Sequence, residues 1–272
     1  MRSSPTFASG AQVRAACRSG QWDRPTHGMA DGYVQANLVM LPAGDADDFQ
    51  AFCEANPIPC PLLERTESGN FEPAAFAPGA DLRTDAPRYR IYRQGVQDPG
   101  EPTDVLAQVQ DDMVGFLLGC SFTFEAAMAR AGFELRHQTQ DVNVPMYRTS
   151  LACRPAGDFA GPMVVSMRPV QADRVPEVCE ITARYPGVHG APVHAGDPLT
   201  IGIQDIDRPD WGEPVEIRPG EVPVFWGCGV TPQAVAQASR PTLMITHAPG
   251  HMFVTDRLDS ELEQPDAASD SS

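Results

Sequence analysis

The sequence contains no lysine: its 20 basic residues are all arginine, set against 36 acidic residues, for a formal net charge of −16. Without lysine there is no Schiff-base chemistry, hence no pyridoxal phosphate enzyme, and no P-loop, whose motif needs that residue. The acidic excess repels nucleic acid and anionic membrane surfaces, so neither is expected as a partner. No CxxC pair occurs among the seven cysteines, Cys17, Cys53, Cys60, Cys120, Cys153, Cys179 and Cys228. That argues against all-cysteine zinc and fits reduced thiols in a cytoplasm. GxGxxG, GxSxG, HExxH and a helical HxxxH spacing are all missing, which removes the common nucleotide, serine-hydrolase and metalloprotease patterns. The longest apolar runs, about Met113–Cys120 and Val222–Trp226, are far short of the ~20 residues that span a bilayer. Met1–Gly10 lacks an apolar core and a cleavage pattern, so no secretory leader is expected. The expectation is a cytoplasmic protein that uses neither cofactor nor metal.

The most informative stretches form a pair. Val114–Ala131 (VGFLLGCSFTFEAAMARA) and Val222–Ser239 (VPVFWGCGVTPQAVAQAS) align without a gap, Gly119 on Gly227, Cys120 on Cys228, Thr123 on Thr231 and Glu125 on Gln233. Each reads as a buried strand or short helix, a tight turn and a helix. Such a turn aims free backbone N–H groups at whatever lies above it, stabilising an anion or a developing oxyanion. Two alanine-rich helices with a shared start signal are the plainer alternative, and buried filler is the plainer role for both thiols.

A chain of 272 residues buries a sizeable core as one large or two ordinary domains. Helical spacing covers 11–18 and 45–55, and 104–118 also reads as a helix. Strands are expected at 33–41, 89–93, 144–153, 161–170, 199–206 and 242–249, with a further helix over 175–185. Alternating strands and helices give an α/β fold class: a main α/β domain with a mixed sheet (11–139 and 190–258), a smaller α+β domain inserted or packed beside it (140–189), and a disordered acidic tail (259–272).

Candidate chemistry comes from histidines in Gly- and Pro-flanked loops and from arginines in uncharged surroundings. His189 and His247 are candidate general acids or bases with Cys120 and Cys228, and His194 is a candidate substrate contact. Arg136, Arg168 and Arg184 suit bidentate binding of a carboxylate, with Ser121, Tyr147 and Thr231 as further substrate contacts. Glu125 reads equally as a helix-dipole partner and as a catalytic acid. The ligand so implied is a small carboxylated molecule; homo-oligomerisation stays open.

At these residues the chain resembles the D-glutamate cyclase family. The matching stretches include QANLVMLP, NPIPCPLLE, APGADLRTDAPRYRIYR, GCSFTFE, VPMYRTSLACRPAGDFAGPMVVSMRP, ITARYPGVHGAPVHAGDP, GEVPVFWGCGVTPQ and ITHAPGHMFVTD. The resemblance implies an α/β main domain with a smaller α/β domain and a hydro-lyase activity that cyclises D-glutamate to 5-oxo-D-proline with loss of water. It carries over no catalytic residues. Two other readings of the same residues are a non-catalytic binding protein for a carboxylated metabolite and an isomerase using the two cysteines. Because the ligand spacings are missing, dialysis against a chelator should leave activity unchanged; loss of activity restored by zinc or manganese contradicts that expectation.

Overall fold

The structure is a computed structural model and describes residues 7–264. In chain order the elements are α1 (Gly10–Arg18), β1 (Tyr33–Pro42), α2 (Ala43–Ala55), β2 (Leu62–Arg65), β3 (Tyr89–Arg93), β4 (Val96–Gln97), β5 (Met113–Gly119), α3 (Phe122–Arg130) and α4 (Arg136–Thr139). There follow β6 (Met146–Ala152), β7 (Pro162–Gln171), α5 (Val175–Ala183), β8 (His194–Ala195), β9 (Glu221–Gly227), α6 (Thr231–Ser239), β10 (Met244–His247) and β11 (Phe253–Leu258). The fold is α/β, built on two sheets whose pairings among these strands are antiparallel.

The first sheet runs β2-β5-β1-β10-β3-β4, with β11 also on β1; the second runs β6-β7-β9-β8. Strand β1 is the spine of the first sheet and is buried on both faces. Its side chains alternate accordingly: Val39 and Leu41 enter one apolar cluster, and Ala36, Leu38 and Met40 the other. Strand β5 repeats the pattern, with Val114, Phe116 and Leu118 on the first face and Met113 and Leu117 on the second. That two-residue period is what a pleated strand imposes. Helices α2 and α6 close the first face, where Phe49, Phe52 and Val235 are fully buried.

Three expectations are corrected. Residues 113–119 form a strand, not the end of a helix: a short apolar run buried on both faces has no period that separates the two, and pairing with β1 decides it. Within 199–206 there is a 3-10 turn at Pro198–Ile201 and no strand. The second sheet takes strands β6 to β9, with β9 paired along the length of β7. Of the expected disordered tail, Asp259–Glu261 form a 3-10 turn and Gln264 N–H donates to the Arg184 carbonyl. Residues 265–272 lie outside the described residues.

The two sheets meet where backbones pass closely. A Cβ at Gly119 would overlap the Gly187 carbonyl oxygen, and one at Gly229 would overlap the Asn37 side chain. Gly119→Ala should therefore lower stability by about 1–3 kcal/mol, the range for overpacking, as a shifted urea midpoint; an unchanged midpoint contradicts this packing.

Candidate active site

The two Gly-Cys segments are built alike. Each follows a seven-residue strand, β5 or β9, and each leads into a nine-residue helix, α3 or α6. In each the threonine N–H bonds back to the cysteine carbonyl, Thr123 to Cys120 at 3.1 Å and Thr231 to Cys228 at 2.9 Å. The backbone N–H groups of Phe122 and Val230 lie near the Cys120 and Cys228 thiols and act against the effect of burial. Burial raises the Cys120 thiol above its ordinary range, with neighbouring Cys228 adding to the rise, and raises Cys228 to about 11. Both thiols are therefore protonated at neutral pH.

Asn37 and His189 lie between the turns. Asn37 Nδ2 donates to the Gly119 carbonyl at 2.6 Å while its amide packs on Gly229. His189 ends a 3-10 turn at Pro186–Val188 whose backbone rests on Gly119, and its Nδ1 meets the Ile58 carbonyl, itself packed on Gly227, at 2.7 Å. His189 adopts φ 89°, a left-handed conformation costly for a non-glycine residue and held only where surroundings enforce it. Its Nε2 is buried without a partner among the described residues. Burial lowers its pKa to about 4, against the Ile58 contact and together with nearby Arg168; the imidazole is neutral at pH 7.

Arg168 supplies the charge at the centre. On β7, Val165 and Met167 face the far cluster, so the strand period turns Ser166 and Arg168 toward α3. The Arg168 guanidinium, 1% exposed, donates from Nε to Glu125 Oε1 at 2.9 Å, from Nη2 to Ser121 Oγ at 2.8 Å and from Nη1 to Ser166 Oγ at 2.8 Å. It lies against the rings of Phe124 and Trp226 at 5.6 and 5.5 Å. Glu125 also accepts from Gln138 Nε2 at 2.7 Å, and His137 Nε2 stands 3.3 Å from its Oε1. Burial alone would raise the Glu125 pKa, but His137 and Arg168 outweigh it and hold the carboxyl at about 2. Glu125 is thus an ionised, fully engaged carboxylate.

Glu125 also lines an open cleft of about 530 Å³ bounded by one face of α3 and the loop around Gly28–Tyr33. The remaining predicted residues divide. Ser121 and Arg168 belong to the centre, and Thr231 anchors α6 by donating to the Cys228 carbonyl at 2.7 Å. His247 sits on β10, where its Nδ1 accepts from Leu38 N–H at 3.1 Å and its Nε2 has no partner; burial lowers its pKa to about 3. Arg136 is held by Glu221 and Glu134, Arg184 by Glu263 and Tyr147 by the Ile206 carbonyl. His194 stacks on Phe225 at 5.8 Å, on the same side of the second sheet as Tyr147. These four are not brought to the Gly-Cys turns. Asn37, Ser166 and His137 were missed; an isolated polar residue inside the apolar run ANLVML was the one available signal for Asn37. Among the described residues no group of three or more His, Cys, Asp or Glu side chains is placed to hold a metal.

The lowered histidines and Glu125 fix an acid response. As pH falls below 6.5, the unfolded-state value for histidine, the unfolded chain takes up protons that buried His189 and His247 refuse, so stability declines toward pH 4. Glu125 stabilises the fold above about 4.5, and that contribution is lost as pH falls toward about 2. Urea midpoints should fall in both windows, and Glu125→Gln should remove the lower one; a flat profile from pH 7 to 3 contradicts the assignment.

The comparisons with known proteins show the family to which the chain belongs. The D-glutamate cyclase family model matches residues 114–256, just over half of the chain, from β5 through both Gly-Cys turns to β11. Proteins named "Putative hydro-lyase" are similar over nearly their whole length. One from Stutzerimonas stutzeri is 58% identical over 254 residues, covering 93% of this chain and 96% of its own. Another from Geobacillus kaustophilus is 55% identical over 260 residues, covering 94% and 98%. A third from Rubrobacter xylanophilus is 56% identical over 253 residues, covering 93% and 97%. The chain belongs to the D-glutamate cyclase family.

Proposed function

We propose that the protein is a cytoplasmic hydro-lyase that needs no cofactor and closes D-glutamate to 5-oxo-D-proline. The observation that carries this reading is the convergence of two Gly-Cys turns on a neutral, buried His189 with Nε2 unpaired, beside Arg168. In the reaction a bond forms between the amine nitrogen and the γ-carbon, and the bond from that carbon to one oxygen breaks. Two protons leave the ammonium nitrogen and two arrive at the departing oxygen, so lactam and water account for every atom and no electrons are transferred.

Each step has a matching group. The amine must lose a proton to become a nucleophile, and the Nε2 lone pair of a neutral imidazole accepts one. The departing oxygen must gain protons, and buried thiols that stay protonated at pH 7 donate them. The tetrahedral intermediate carries negative charge on the remaining γ-oxygen, for which N–H groups at the starts of α3 and α6 and the nearby Arg168 provide stabilisation. His247, neutral and accepting at Nδ1, carries its proton on Nε2 and serves as a hydrogen-bond donor.

Purified protein incubated with D-glutamate should yield 5-oxoproline, with L-glutamate as the stereochemical comparison; no turnover of either isomer in either direction refutes the substrate. Cys228→Ala and Cys120→Ala should each reduce turnover by roughly a hundredfold or more at near-native melting temperature, the scale of a lost acid or base. Lower stability with turnover kept gives the thiols a packing role. Chiral analysis of recovered glutamate reads out the two-cysteine isomerase, and a ligand that raises the melting temperature but returns unchanged indicates binding without chemistry.

A further inference from the structure

The cleft along α3 holds a carboxylate that the centre described above does not use. Asp259 follows β11, with its N–H bonded to the Gly32 carbonyl at 2.9 Å, and it lines the same cleft as Glu125. Three carboxylates border this space: Asp31, Glu125 and Asp259. Glu125 is engaged on both oxygens by Arg168 and Gln138. Asp31 is exposed. Asp259 is 8% exposed, and its Oδ1 is buried without a donor among the described residues. A buried oxygen of this kind is costly unless something donates to it. Arg130 lines the same cleft and has no ion-pair partner among the described residues.

We propose that the α3 cleft binds the zwitterionic head of an α-amino acid, with Asp259 accepting from the ammonium and Arg130 holding the α-carboxylate. Opposite charges in one cleft match a ligand in which ammonium and carboxylate share one carbon. A plain dicarboxylate leaves Asp259 without a donor, and a plain amine leaves Arg130 without an acceptor. The inference rests on the reading of the substrate as an amino acid and extends it: the amine is selected in a cleft that His189 and the two cysteines do not line, before the chemistry at that centre. Burial and the neighbouring Asp31 raise Asp259 to about 7, against Arg130. Tyr33 and Glu125 also border the space. An arriving ammonium therefore has to shift Asp259 to its ionised form.

The test is binding, read by calorimetry with D-glutamate, L-glutamate, glutarate and ethylammonium on the full-length protein, wild type and Asp259→Asn, with melting temperature as the folding control. Wild type should bind at least one glutamate isomer about tenfold or more tighter than glutarate, the scale of a charge-assisted hydrogen bond. Asp259→Asn should erase that preference while keeping glutarate binding. In wild type the preference should weaken as pH falls below about 7, because the carboxyl is then protonated, whereas Asp259→Asn should show no such dependence. A preference for glutamate that survives in Asp259→Asn overturns the proposal, as does failure of wild type to bind either glutamate isomer or ethylammonium at millimolar concentration. The outcomes separate from those of the proposed reaction. Turnover of D-glutamate with an unchanged KM in Asp259→Asn leaves the cyclase reading standing and removes this site, while Asp259-dependent binding without 5-oxoproline does the reverse.

Discussion

The ion pair between Arg168 and Glu125 is the constraint on which the arrangement of this molecule depends. Taking two charges out of water costs several kcal/mol each, and attraction offsets that only when the remaining hydrogen-bonding capacity is met. Here Ser121, Ser166 and Gln138 meet it, and two aromatic rings lie against the guanidinium. Because Arg168 belongs to the second sheet and Glu125 to the helix leaving the first, satisfying the pair fixes how the sheets meet. Cys120, Ser121 and Glu125 fall within the same segment, so the position of the first Gly-Cys turn relative to the second follows from the same bonds.

The paired segments share a construction and differ in charge. Where α3 carries Glu125 against Arg168, the aligned Gln233 of α6 accepts from Tyr92 at 3.0 Å and from Arg90 at 3.3 Å, and donates to the His247 carbonyl at 3.0 Å. One segment therefore carries a buried carboxylate where the other carries an amide.

Much of this was legible in the sequence because it rests on local pattern. The paired Gly-Cys stretches, the few charges around Arg168 and the loop position of His189 mark residues that lie close together in the fold. Other features depend on long-range pairing and could not be read. MVGFLLG has no period that tells a strand from a helix, and its neighbour β1 lies some eighty residues earlier. Arg136, like Arg168, has few charges beside it in the sequence, yet meets Glu134 nearby and Glu221 across the fold. Glu125 was visible only as an acid in a first helical turn, a position that the helix dipole alone explains. Asp259 fell in a stretch whose composition resembles a disordered tail, although its N–H is tied to Gly32.

The most direct measurement of the account is a double-mutant cycle on the central pair, using Glu125→Gln, Arg168→Met and the double variant, with unfolding free energy as the readout. Each single substitution leaves a buried group without its partner, which costs about 3–5 kcal/mol for a buried pair, while removing both partners spares much of that loss. The predicted result is a coupling energy of about 2 kcal/mol or more, within the range for residues in one network. Single substitutions whose effects simply add, with coupling near zero, would contradict the claim that this pair holds the two sheets and their turns together.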